Sequence, residues 1–150
     1  MAAPTEEVIE MLKTAYSMEL ETVLNYLANS INLDGVRAEE IKKSLAAEVP
    51  AELGHAQQLG HRIKQLGGQV PGSTSLDLGQ QVQPPADTTD VTGVIRAVIS
   101  AEEAAVKHYR KIIKATEGED YVTQDMCITL LGDEEGHLVL FRGFLKEYAK

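Results

Sequence analysis

Two pairs of residues stand three apart in the chain, Glu52 with His55 and Glu134 with His137. On a helix this spacing puts a carboxylate and an imidazole on adjacent rungs of one face, where both can reach the same metal ion. With 16 glutamates in 150 residues, a given histidine has a glutamate three positions earlier about one time in nine by chance. One such pair says little, but two say more. Glu19 and Glu102 strengthen the pattern, because each is followed seven residues later by a tyrosine, Tyr26 and Tyr109. Carboxylate oxygens with one imidazole per ion are hard donors that suit Fe(II) or Mn(II), and no thiolate is present to favour a soft metal.

The elements that must carry these residues read as helices throughout. Apolar residues recur at steps of three and four, and no stretch alternates long enough for a strand. The first helix is predicted to start at Thr5 as N-cap, with Glu6 and Glu7 at its positive end, and to run to about Leu33 before Asp34-Gly35. The second spans about Ala38 to Leu66 and stops at Gly67-Gly68. From Gln69 to about Thr89 the sequence turns to Pro, Gly, Ser, Gln and Asp (PGSTSLDLGQQVQPPADTT), which reads as loop. The third helix spans about Asp90 to Thr116 and stops at Gly118, and the fourth spans about Tyr121 to Tyr148. Short turns make helices one and two, and helices three and four, antiparallel neighbours. The long segment between them is a crossover, and one long crossover fits the ferritin-like form of an all-α antiparallel four-helix bundle.

Along each helix the apolar seam is interrupted by acid. Helix one gives Val8, Leu12, Tyr16, Glu19, Val23 and Tyr26; helix two gives Ile41, Leu45, Glu48, Glu52, His55, Leu59 and Leu66. Helix three gives Ile95, Val98, Glu102, Ala105, Tyr109 and Ile113; helix four gives Cys127, Leu131, Glu134, His137, Phe141, Leu145 and Tyr148. Glu19, Glu52, Glu102 and Glu134 are thus expected in one core with His55 and His137. Dry burial of four carboxylates costs several kcal/mol per ion. Two divalent cations resolve the conflict by matching four negative charges with four positive ones.

Composition bounds the rest. The chain has 150 residues and 16.3 kDa, a net charge of -9 and a pI near 4.9. That is one domain, with enough apolar residues to fill a core. A single cysteine, Cys127, excludes a disulfide framework and a cysteine-cluster metal site and fits a reducing cytoplasm. No apolar run reaches membrane-span length, and the acidic start MAAPTEEVIE is unlike a signal peptide, so neither membrane nor secretion is expected. Without a basic arm the chain is a poor ligand for nucleic acid.

The stretches DYVTQDMCITLLGDEEGH (Asp120 to His137) and MELETVLNYL (Met18 to Leu27) resemble the fourth-helix and first-helix segments of bacterioferritins, within the ferritin-like superfamily. The resemblance implies Glu19 and Glu102 as terminal ligands, Glu52 and Glu134 as bridging ligands, and His55 and His137 as one imidazole on each of two irons. Manganese is the other metal these donors suit. The resemblance also implies oxidation of Fe(II) by dioxygen or hydrogen peroxide as the first step of iron storage, in a homo-oligomer. Tyr26 corresponds to the tyrosine beside that centre; Tyr26 and Tyr109 read as donors to the carboxylates, as extra electron donors, or as aromatics filling the core. Glu48 reads as a relay for incoming iron or as a partly exposed acid. Glu103, Glu135, His61 and His108 are expected off the seams.

Three departures stand beside the resemblance. Leu53 occupies the position of the methionine through which bacterioferritins bind haem, which argues against haem. The chain ends at Lys150, 13 residues after His137, where bacterioferritins continue into a fifth helix, so a storage shell is left open. Pro50 falls inside helix two and is expected to kink it just before Glu52. The rival readings are a rubrerythrin-like di-iron oxidase or peroxidase without storage and a metal-free helical scaffold. A DNA-protecting relative is disfavoured by the missing basic tail.

Overall fold

The computed structural model describes residues 2–79 and 82–150. Among these residues there are four long helices and no strand: α1 (Thr5–Asn32), α2 (Glu39–Gln65), α3 (Val91–Thr116) and α4 (Tyr121–Tyr148). Helix α1 packs along α2, α3 along α4, and α1 against α3.

The helix ends follow local chemistry, with one correction. Thr5 lies inside α1, and Pro4 takes the cap position with φ -58°. Its fixed φ leads the chain into the helix, and its carbonyl accepts from the amides of Glu7 and Val8, so no side-chain cap is needed. Asp90 and Asp120 cap α3 and α4 by accepting from the amides of Gly93 and Thr123, each at 3.0 Å. The tight turns after α1 and α3 pass through Gly35 at φ 101° and Gly118 at φ 77°, left-handed positions that favour glycine. A single 3-10 turn, Val36–Ala38, completes the first of them. Pro50 leaves α2 an unbroken helix. Pro50 and Ala46 lie on the exposed face, so water can reach the carbonyl that proline leaves without its helical partner.

The segment predicted as a crossover loop holds one 3-10 turn, Ser73–Ser75, and otherwise runs extended or bent; its Gln80 and Gln81 lie outside the described residues. It travels the length of α1. Val70 lies against Gly60 near Tyr16. Further on, the Val82 carbonyl accepts from Asn29 at 3.1 Å, and the Thr88 carbonyl accepts from the amide of Asp34 at 2.9 Å. The fully buried Val82 fills the core beside Tyr26 and Leu33. The crossover makes α2 and α3 run parallel and sets the two hairpins, α1-α2 and α3-α4, side by side.

Two apolar clusters fill the bundle. One holds Leu33, Ile41, Leu45, Ile95 and Phe141; the other holds Leu12, Leu59, Ile63, Ile112 and Leu130. The inner face of α1 departs from the predicted seam. Past Glu19 it continues through Thr22, Tyr26 and Asn29, whereas Val23 is only half-buried. Steps of three, four and three keep better to one stripe over a long straight helix than the predicted step to Val23.

Candidate metal centre

A polar layer lies between the two apolar clusters. Glu19, Glu52, Glu102 and Glu134 are 1–2% exposed; His55 is buried beside them, and the half-buried His137 completes the layer. Their donor atoms form two groups of four, each with its atoms within 4.8 Å of one another: Glu19, Glu52, His55 and Glu134; and Glu52, Glu102, Glu134 and His137. Glu52 and Glu134 belong to both groups. The structure therefore brings together all six residues singled out from the sequence.

Within the layer, His55 Nδ1 lies 3.0 Å from Glu134, 3.5 Å from Glu19 and 3.7 Å from Glu52. His137 Nδ1 lies 3.1 Å from Glu52, 3.5 Å from Glu134 and 3.7 Å from Glu102. The two rings are stacked nearly parallel with centroids 6.5 Å apart. Two hydroxyls cross between hairpins to hold the carboxylates that belong to one group only. Tyr26 donates to Glu102 Oε1 at 2.6 Å, and Tyr109 donates to Glu19 Oε1 at 2.5 Å.

The electrostatics are those of anions crowded out of water. Burial, and then the neighbouring Glu52, raises Glu19 well above the carboxylate range. Burial and Glu134 likewise raise Glu102. Burial also pushes Glu134 upward, but bonds to Glu102, His137 and His55 outweigh it and hold that acid low. Burial alone would lower both histidines; the surrounding carboxylates reverse the sign and hold them well above the ordinary imidazole value. Tyr26 and Tyr109 are raised by burial and by the carboxylates they bond.

Even so, the layer is not satisfied from within. Glu19 Oε2, Glu52 Oε1, Glu102 Oε2, Glu134 Oε2 and His137 Nδ1 are buried and have no hydrogen-bond partner. Buried polar atoms normally have partners. Five orphaned donors converging on two adjacent points are what two cations would satisfy, and the donor set fits hard divalent ions.

Two further residues reach this layer. His137 Nε2 lies 2.5 Å from Glu48 and His55 Nε2 lies 3.0 Å from Asp133. Glu48 is 13% exposed in its side chain, a partly buried acid at the edge of the layer. Asp133 was missed because it sits beside the seam on the outer face of α4, and its contact depends on the packing of α2. Glu103 and Glu135 are exposed and lie 3.8 Å from Arg142 and Arg110. His61 is exposed, and His108 is half-buried against the Met11 carbonyl. Cys127 is buried, which pushes its thiol up to about 12. Leu53 is 43% exposed and lines an outer groove of α1 and α2 with Tyr16, Leu20 and Gly60, away from the cluster.

A four-helix bundle with one crossover and a buried layer of glutamates and histidines is the architecture of the ferritin-like class of helical proteins. The ferritin-like domain matches residues 9–150, and the chain belongs to that family. It is 26% identical over 144 residues to a DNA protection during starvation protein of Pyrococcus furiosus, covering 93% of this chain and 77% of that one. It is also 26% identical over 136 residues to the bacterioferritin of Desulfovibrio desulfuricans, covering 90% and 72%. The solved structure of that bacterioferritin, whose di-iron site was captured in different catalytic states, aligns with TM-score 0.82 at 24% identity over 95% of this chain and 80% of the other. A dodecameric thioferritin of Bacteroides fragilis aligns with TM-score 0.82 at 21% identity over 98% and 89%. Among the described residues no helix is long and apolar enough to cross a membrane.

Proposed function

We propose that the chain is a ferroxidase that oxidises Fe(II) with dioxygen or hydrogen peroxide in iron storage, working as a homo-oligomer. The observation that carries this reading is the pair of four-donor groups that share Glu52 and Glu134. In this reading Glu19, Glu52, His55 and Glu134 hold one metal ion and Glu52, Glu102, Glu134 and His137 hold the other, and the ions supply one-electron redox chemistry at two adjacent centres. Two Fe(II) ions give one electron each, and dioxygen takes both with two protons to become hydrogen peroxide. Iron is the substrate, and manganese fits the same donors. The di-iron site of the D. desulfuricans bacterioferritin and the dodecamer of the thioferritin support the extension to iron and to an oligomer.

The chain's own residues have definable tasks. Glu52 and Glu134 keep the two ions close, since each reaches both groups. The Tyr26 and Tyr109 hydroxyls each fix one oxygen of Glu102 and Glu19, leaving the other oxygen free to act as donor. The apolar clusters above and below exclude water, which strengthens every charge interaction in the layer. Anaerobic Fe(II) titration followed by exposure to air tests the reading. Saturation at two Fe(II) per chain and rapid oxidation, both lost in Glu52→Ala, are expected from the two groups. An absence of Fe(II) binding would refute it.

A further inference from the structure

Each imidazole in the layer turns Nδ1 inward and Nε2 outward, and each outward nitrogen meets a carboxylate from the opposite hairpin. His55 of α2 is hydrogen-bonded to Asp133 of α4 at 3.0 Å, and His137 of α4 forms a 2.5 Å ion pair with Glu48 of α2, whose Oε2 stands outside hydrogen-bonding geometry. The arrangement is reciprocal. Asp133 immediately precedes Glu134, and Glu48 lies one helical turn before Glu52, so each outer acid sits on the helix of one of the two shared carboxylates. The Asp133 side chain is 53% exposed, so burial does not force it against His55.

We propose that Asp133 and Glu48 are positioning residues that set the tautomer and ring orientation of His55 and His137, and through them the affinity of each donor group for a divalent cation. The inference rests on the reading of the layer as a metal centre. A neutral imidazole carries one ring proton, and a metal takes the lone pair of the other nitrogen. An acceptor at Nε2 keeps the proton there and leaves the Nδ1 lone pair aimed at the carboxylates inside. Without that acceptor the proton can sit on Nδ1, where it blocks the donor, and the ring is free to turn. Acceptors of this kind behind a ligating histidine are typically worth about 10–100-fold in metal affinity.

The test is Co(II) titration of the full-length chain after chelator treatment, followed by visible absorbance and by competition with a chromophoric chelator. The parent is expected to bind two Co(II) per chain, one for each donor group. Asp133→Ala should still bind two, with one about 10–100-fold weaker and its absorption band altered. Asp133→Asn should restore most of the loss, because the amide oxygen still accepts from Nε2–H. Glu48→Ala should weaken the other ion in the same way, and because that contact is an ion pair, Glu48→Gln should not restore it. In a His55→Ala background, Asp133→Ala should have no further effect. Parent-like titration of both alanine variants would overturn the proposal, as would an Asp133→Asn no better than Asp133→Ala. A parent that binds no Co(II) would instead bring down the metal reading itself, and the proposal with it.

Discussion

The Tyr109 hydroxyl of α3 donates to Glu19 Oε1 of α1 at 2.5 Å, at the point where both side chains are almost wholly buried. Tyr26 of α1 returns the contact to Glu102 of α3 at 2.6 Å. The two hairpins are therefore joined through their polar layer as well as through apolar packing, and this makes the layer's cost measurable.

Tyr109→Phe keeps the ring and removes only the donor, leaving a buried carboxyl oxygen without it. The metal-free protein should lose about 1–3 kcal/mol. At about 2–4 °C per kcal/mol for a chain of this size, that is a fall of roughly 2–12 °C in a melting curve recorded with chelator.

Removing both members of that contact should behave differently. In the double variant Glu19→Leu with Tyr109→Phe, neither an orphaned acceptor nor a buried carboxyl remains at this contact. Apolar replacement of buried polar groups is often neutral or stabilising by about 1–4 kcal/mol. The metal-free double variant should therefore melt at or above the parent, while metal binding at the group containing Glu19 and His55 weakens.

Divalent metal should stabilise the folded chain by mass action. At a free concentration 100-fold above the dissociation constant the gain is about 2.7 kcal/mol, or roughly 5–10 °C. EDTA should reverse it fully, and Glu52→Ala, which touches both donor groups, should abolish it.

The pH dependence should change sign with metal. In the metal-free protein the carboxylates around His55 and His137 hold both imidazoles high against the lowering effect of burial, and burial holds Glu19 and Glu102 high. All four bind protons more tightly folded than unfolded. Their contribution grows as pH falls: the histidine part is complete below about 6.5 and the glutamate part below about 4.3. Glu134 and Asp120, held low in the folded chain, oppose this near and below the ordinary carboxylate range. Urea midpoints with chelator should thus be higher at pH 5.5 than at pH 8.5. Metal competes with the same protons, so its affinity should rise with pH and its binding should acidify a weakly buffered solution.

Asp120→Ala serves as a control outside the layer. It removes the α4 cap and the 2.7 Å contact with Arg62 of α2. Partial burial pushes the Asp120 carboxyl up, but Thr123 and Arg62 together hold it lower on balance. The expected loss is about 1–2 kcal/mol in chemical denaturation, with metal stoichiometry unchanged.

Much of this site is legible along the chain because helical geometry converts spacing into direction. Glu52 with His55, and Glu134 with His137, need only a regular helix to share a face, and Glu19 and Glu102 interrupt apolar stripes that identify the core side. The long Pro- and Gly-rich segment likewise declared itself as a crossover. Contacts that depend on how two helices dock are not written in either helix. Asp133 meets His55, and Glu48 meets His137, only once α2 and α4 are packed together. The inward turn of Thr22 and Asn29 was hidden for another reason: polar side chains carry no apolar signal, so Val23 drew the seam toward itself.

The crossover supplies none of the donor atoms of either group, and each hairpin carries half of the set: Glu19, Glu52 and His55 on one, Glu102, Glu134 and His137 on the other. Its contribution to the centre is then that of a tether. By keeping the second half-set within reach of the first it turns an association between two fragments into an intramolecular event, with an effective local concentration in place of a bulk one. Its register along α1, fixed at Asn29 and Asp34, also restricts the relative slide of the hairpins. A chain nicked within this segment would keep every donor and lose only the guarantee that the halves meet.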